Sequence, residues 1–141
     1  MTDTNTQVAL TFMKAMGTND AALAATCIAP DAVAIAKGHG KFAGTRDAKT
    51  MIGTIDAFKE MLPTGLRFTI VSATAGGDRV AVEAEGNGVT CEGKPYRNQY
   101  CFVFTLAEGK IRSVNEYFCT VHADEVLWPL VEAQGEKLAA R

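Results

Sequence analysis

The stretch Leu66-Arg67-Phe68-Thr69-Ile70-Val71-Ser72-Ala73-Thr74-Ala75, Gly76-Gly77-Asp78, Arg79-Val80-Ala81-Val82-Glu83-Ala84-Glu85-Gly86-Asn87-Gly88-Val89-Thr90 decides the fold. Its apolar and polar residues tend to alternate, β-branched residues are frequent, and the Gly76-Gly77-Asp78 break is a hairpin signal, so it predicts two antiparallel strands. Reading onward, Glu92-Gly93-Lys94 and Glu108-Gly109 supply two further turns, and four long strands in succession make an antiparallel meander. Strand alternation puts Tyr96, Asn98, Tyr100, Phe102 and Phe104 on one face, with Val114, Glu116 and Phe118 on the matching face of the next strand.

Before Pro63 the period is helical. Val8, Ala9, Phe12, Met13, Ala15 and Met16 recur at three- and four-residue intervals within Thr6 to Met16, and Gly17 closes that helix. Asn19 or Asp20 caps a second helix, Ala21 to Cys27, which Pro30 stops; Ala32 to Ala36 reads as a short strand. Gly38, Gly40 and Gly44 bracket a turn around His39 and Phe42, and Thr45 caps a third helix carrying Met51, Ile52, Ile55, Phe58 and Leu62. After the meander, His122 to Leu138 has helical character, broken at Pro129, and either packs across the sheet or frays. Helices first and a meander second is the order of an α+β domain, here residues 1–141, in which helices cover one face of a sheet that curls to enclose them.

Composition narrows the function. The 141 residues are 48% hydrophobic and 21% charged with a net charge of -2, which offers no basic footprint for nucleic acid. The start of the chain lacks a signal-peptide pattern and no apolar run approaches the ~18 residues of a membrane helix, so the expected location is cytoplasmic with no membrane partner. Cys27, Cys91, Cys101 and Cys119 have no paired spacing and are expected to be free and mostly buried thiols. No cofactor is called for, and His39, His122 and the scattered carboxylates lack metal-ligand spacing.

Asn98-Gln99-Tyr100-Cys101-Phe102-Val103-Phe104, Glu108-Gly109-Lys110-Ile111 and Glu116-Tyr117-Phe118 together resemble the last two strands of SnoaL-like proteins. These belong to the nuclear transport factor 2 superfamily, with ketosteroid isomerase and limonene epoxide hydrolase. Gly17 to Asp20, Ala29-Pro30-Asp31-Ala32 and Phe42-Ala43-Gly44 are similar to that family too. The resemblance implies a cone-shaped, curled antiparallel or mixed sheet packed against three helices, a conical pocket between them, and a homodimer joined through the convex sheet face. It does not extend to the catalytic set of ketosteroid isomerase: Phe12 stands near the place of its oxyanion-hole tyrosine, Ala36 and Lys37 near its base, and Cys101 or Tyr100 near its neutral acid. Against SnoaL-type cyclases, Glu116 stands near their acid/base aspartate, while Cys119 replaces a further aspartate common in relatives.

The expected site is therefore the inner face of the last two strands. Glu116, Tyr100 and His39 are the candidate catalytic residues: a carboxylate in an apolar pocket has a raised pKa suited to moving protons near neutrality, a phenol polarises a carbonyl, and histidine titrates in the same range. Asn98, Phe12, Met16, Phe58, Phe102, Val114 and Phe118 are the candidate ligand contacts. The plainer reading of Glu116 is a strand-end carboxylate in solvent or paired with Arg97 or Arg112, and of His122 a helix start. Two functions follow as expectations: a cofactor-independent isomerase or cyclase acting on a small apolar carbonyl compound, or a non-catalytic ligand-binding or dimerising module of the same fold.

Overall fold

The computed structural model describes residues 3–134. Asp3 accepts a hydrogen bond from the Thr6 amide at 2.7 Å and so starts α1 (Thr4–Gly17). Asp20, rather than Asn19, caps α2 (Ala21–Cys27) by accepting from Leu23 N, and β1 (Ile28–Ala36) follows at once, beginning earlier than the sequence pattern indicates. β2 (Gly44–Asp47) pairs antiparallel with β1, and α3 (Ala48–Met61) starts from Asp47, whose carboxylate accepts from Thr50 N at 2.8 Å. Thr45 is thus not the cap expected of it. Its backbone is already committed to the ladder opposite Ile35, and the aspartate two residues on takes the capping position.

The meander is β3 (Arg67–Gly76), β4 (Arg79–Val89), β5 (Pro95–Ala107) and β6 (Lys110–Phe118). Glu108 and Gly109, at φ 54° and 74°, form the left-handed two-residue turn between β5 and β6, a geometry that matches strand twist. The sheet does not end with the meander. β6 also pairs in parallel with β1, giving the order β2-β1-β6-β5-β4-β3 in a curled, unclosed mixed sheet.

α1 and α3 cover its concave face. Phe12 and Met13 from α1 and Met51 and Ile55 from α3 meet Val80, Val82, Phe102 and Phe104 in the main core, with the Phe12 and Phe104 rings edge to face at 5.9 Å. The chain then closes with α4 (Thr120–Val126) and α5 (Trp128–Ala133), which bury Leu127, Leu130 and Val131 against Met61, Leu62 and Tyr96. The C-terminal segment therefore packs. Its break falls at Leu127, and Pro129 sits in the first turn of α5, where a missing N–H costs nothing, so proline starts this helix instead of interrupting one. Residues 135–138 of the predicted segment lie outside the described residues.

The cysteines are free, but they are not mostly buried: Cys27 is buried and Cys101 half-buried, while Cys91 and Cys119 are exposed. Cys91 lies in the β4–β5 turn and Cys119 where the chain leaves β6 for α4, positions that irregular backbone keeps at the surface.

Candidate functional site

Register fixes the floor of the site. Phe102 lies opposite Glu116 and Tyr100 opposite Phe118, so the inner residues of β5 and β6 form the pairs that alternation predicts. The β5–β6 register shift falls between Thr105 and Leu106, beyond these pairs, and leaves their face unchanged. On the other side of β6, Ala36 lies beside Glu116 and Ala34 beside Val114; Arg46 of β2 lies opposite Ala34. Two alanines in β1 leave room where larger side chains would fill the concavity, and Arg46 occupies part of that room.

The result is a cavity of about 150 Å³ between sheet and helices. Met16 of α1, Met51, Ile55 and Phe58 of α3, Phe42, Phe68, Phe102 and Phe118 give it apolar walls, and Ala123 and Leu127 close it from the C-terminal side. Phe42 is braced by Trp128, edge to face at 5.2 Å, and its carbonyl accepts from Arg46 Nη2 at 3.0 Å. Both oxygens of Asp124 accept from the Lys41 amide, which ties the glycine-rich loop to α4.

Few polar groups face this space. Asn19 Nδ2 donates to the Leu62 carbonyl and Thr54 Oγ1 to the Thr50 carbonyl, so both are occupied with backbone. Glu116 is the one carboxyl-bearing residue among those lining the cavity. Burial pushes its pKa from 4.5 up to about 7, against an opposing pull from the Arg46 guanidinium. Burial likewise holds the Tyr100 phenol well above its ordinary range, with the neighbouring Tyr96 and Glu116 adding to the effect. Near neutral pH the site thus pairs a carboxyl group poised to take up or release a proton with a neutral phenol.

On the wall itself, Tyr96 and Tyr100 share a hydrogen bond of 2.8 Å between their hydroxyls. Residues four apart on a flat strand are about 13 Å apart at their Cα atoms, so the two phenols lean together over Asn98 on an inward-curling strand. Asn98 Nδ2 donates to Tyr96 Oη at 2.8 Å and to the Cys119 carbonyl at 3.0 Å; its Oδ1 accepts from the amides of Cys119 and Gln99. The His122 ring is stacked on Tyr96 at 5.3 Å, nearly parallel.

Of the residues singled out from the sequence, Glu116, Tyr100, Met16, Phe58, Phe102 and Phe118 come together on the cavity wall. Asn98 is buried behind them. Phe12 and Val114 do not reach the cavity: both are fully buried in the core beneath it, packed against neighbouring helix and strand. His39 is exposed in its glycine turn and is not among the lining residues, because the loop turns Phe42 inward instead. Glu116 is paired with neither Arg97 nor Arg112; Arg112 binds Asp31 at 2.8 Å. Arg46 was without a sequence signal, since it lies on a four-residue strand among glycines whose direction only pairing with β1 reveals. Among the described residues no cluster of histidine, cysteine and carboxylate side chains has the makings of a metal site, and no helix is long and apolar enough to cross a membrane.

A curled sheet wrapped on helices around an apolar cavity is the nuclear transport factor 2-like architecture. Within it, the chain belongs to the SnoaL-like domain family, whose model matches residues 9–114. The matched stretch ends at Val114, short of Glu116. No curated protein matches the sequence. Solved structures share the fold at low identity. An NTF2-like protein of unknown function from Burkholderia pseudomallei is 15% identical, covers 89% of this chain and 98% of its own, and superposes with a TM-score of 0.77. TerC, co-crystallized with polyporic acid, is 19% identical over 88% of this chain and 98% of its own, with a TM-score of 0.75. A protein of ketosteroid isomerase-like fold from Catenulispora acidiphila, in complex with trimethylamine, is 18% identical over 78% and 83%, with a TM-score of 0.68.

Proposed function

We propose that this protein binds a small apolar carbonyl compound in the cavity and moves a proton on it without a cofactor. The observation that carries the reading is Glu116: a single carboxyl group on an aromatic wall, its pKa raised by burial to about 7. In its ionised form it takes a proton from the carbon next to the carbonyl, the Tyr100 hydroxyl hydrogen-bonds the oxygen on which negative charge then gathers, and the same carboxylic acid returns the proton to another carbon. The product is an isomer, and no electron or co-reactant is required. An engineered apolar cavity of about 150 Å³ holds benzene, so this volume matches a one-ring molecule more closely than a four-ring steroid.

The test needs no knowledge of the natural substrate. One-ring enones and ketones are incubated with the protein in D2O, and loss of the protons next to the carbonyl is followed by NMR. Exchange faster than in buffer, rising with pH through about 7 and falling at least ~100-fold in Glu116→Gln, is the expected result. Exchange that persists in the variant removes Glu116 from the chemistry.

Binding without turnover is the second reading, favoured by the ligand complexes of the Catenulispora protein and of TerC. It predicts saturable binding of the same enones with no exchange. We also infer a homodimer through the convex sheet face, where Val71 and Tyr117 are 59% and 44% exposed, and a cytoplasmic setting consistent with four free cysteines.

A further inference from the structure

We propose that Tyr96 and Asn98 act as a positioning pair that fixes the direction of the Tyr96–Tyr100 hydrogen bond, so that Tyr100 always presents its own O–H to the occupant of the cavity. The inference rests on the cavity being a binding site, as proposed above.

The direction follows from donors and acceptors. Asn98 cannot be flipped: Oδ1 accepts from two backbone amides, of Gln99 at 2.7 Å and Cys119 at 3.1 Å, and Nδ2 meets the Cys119 carbonyl. The second proton on Nδ2 therefore points at Tyr96 Oη, which must accept it. Tyr96 is fully buried, so its own hydroxyl proton needs an acceptor within the protein, and the one within reach is Tyr100 Oη. Were Tyr100 to donate instead, the Tyr96 proton would be left buried with no acceptor, a penalty of the kind native structures avoid. Tyr100 is half-buried and lines the cavity; its proton is the end of the chain and has only the cavity to serve.

A chain running Asn98 N–H to Tyr96, Tyr96 O–H to Tyr100, and Tyr100 O–H to the ligand is anchored at its start by backbone at the end of β6. It holds a donor aimed at a ligand oxygen without the occupant having to reorient a hydroxyl first. Tyr96 is also on the cavity lining, but its hydroxyl proton is committed to Tyr100, so its effect on a bound oxygen is exerted through Tyr100.

Two probes of nearly the same shape test it, 4-fluorophenol and fluorobenzene, with affinities read by 19F NMR. Tyr100→Phe is expected to weaken 4-fluorophenol about tenfold, the loss of one hydrogen bond, and Tyr96→Phe to weaken it by a comparable factor because the Tyr100 hydroxyl is no longer held in one direction. The double variant is expected to be no weaker than Tyr100→Phe, and fluorobenzene should stay within about twofold of wild type in all three. Equal losses for both probes in Tyr96→Phe mean a loosened wall and overturn the relay; so does no loss for either. A wild-type protein that binds neither probe overturns the cavity reading itself, a different failure. Should Tyr96→Phe not fold, wild-type hydroxyl protons decide. The Tyr96 proton is expected to exchange slowly and the Tyr100 proton to shift on adding 4-fluorophenol, and the reverse pattern overturns the proposal.

Discussion

Replacing the Glu116 carboxyl by an amide keeps the shape of the side chain and removes a charge that burial makes costly. The folded-state pKa is about 7 against 4.5 for the free group, so between these values the folded protein holds a proton that the unfolded chain has released. The stabilisation is complete below about 4.5 and is lost as pH rises to about 7. Glu116→Gln is therefore expected to be more stable than wild type at pH 8, by on the order of 2 kcal/mol, with the gain shrinking toward zero below pH 5. Urea denaturation at the two pH values checks this; a gain independent of pH contradicts it. The residue was legible because alternation holds from Tyr96 to Phe104 and again from Val114 to Phe118, on either side of the turn and the register shift. Arg46, which moderates its pKa, was not, and His39 was misplaced for a related reason: a glycine-rich turn does not declare which of its side chains points inward.

At the level of elements, the end of α1 and the turn after α3 pass each other with almost no space. Gly65 has φ 84° and an added Cβ there would collide with the Gly17 carbonyl, while a Cβ on Gly17 would lie 2.6 Å from the Leu66 carbonyl oxygen. Asn19, itself at φ 54°, locks the crossing through its bond to Leu62 O. Gly65→Ala is expected to lose at least ~2 kcal/mol, from the left-handed backbone and the clash together. Gly53→Ala, on the exposed side of α3 with nothing within 4 Å, is expected to gain up to ~1 kcal/mol. Thermal melts of the pair test the crossing; equal stability of Gly65→Ala and wild type argues it away. The hairpin turns and the three early helices were readable because their signals are local: Gly77-Asp78, Glu108-Gly109, and three- and four-residue spacing. The parallel pairing of β1 with β6 was not, since an alanine-rich strand carries little to specify a partner so distant in sequence.

For the whole molecule, the convex face decides whether it works alone. Val71 is left out of the β3–β4 ladder by a register shift between Ile70 and Ser72 and stands exposed, as does Tyr117. If two copies meet there, wild type sediments as a dimer at micromolar concentration and Val71→Asp with Tyr117→Lys as a monomer of unchanged circular dichroism; a wild type that is monomeric throughout excludes this association. The insertion of β6 between β1 and β5 also bears on how the protein comes into being. As the chain leaves the ribosome, Ala34 and Ala36 emerge long before the strand that will lie beside them. Until β6 is made, the nascent protein has half a bowl, apolar and open, with no carboxylate in it. The bowl closes only as a strand slides into the middle of the sheet, a slow, non-local event. A molecule held inside would then resist the undoing of that whole step, delaying global unfolding more than the fraying of either end.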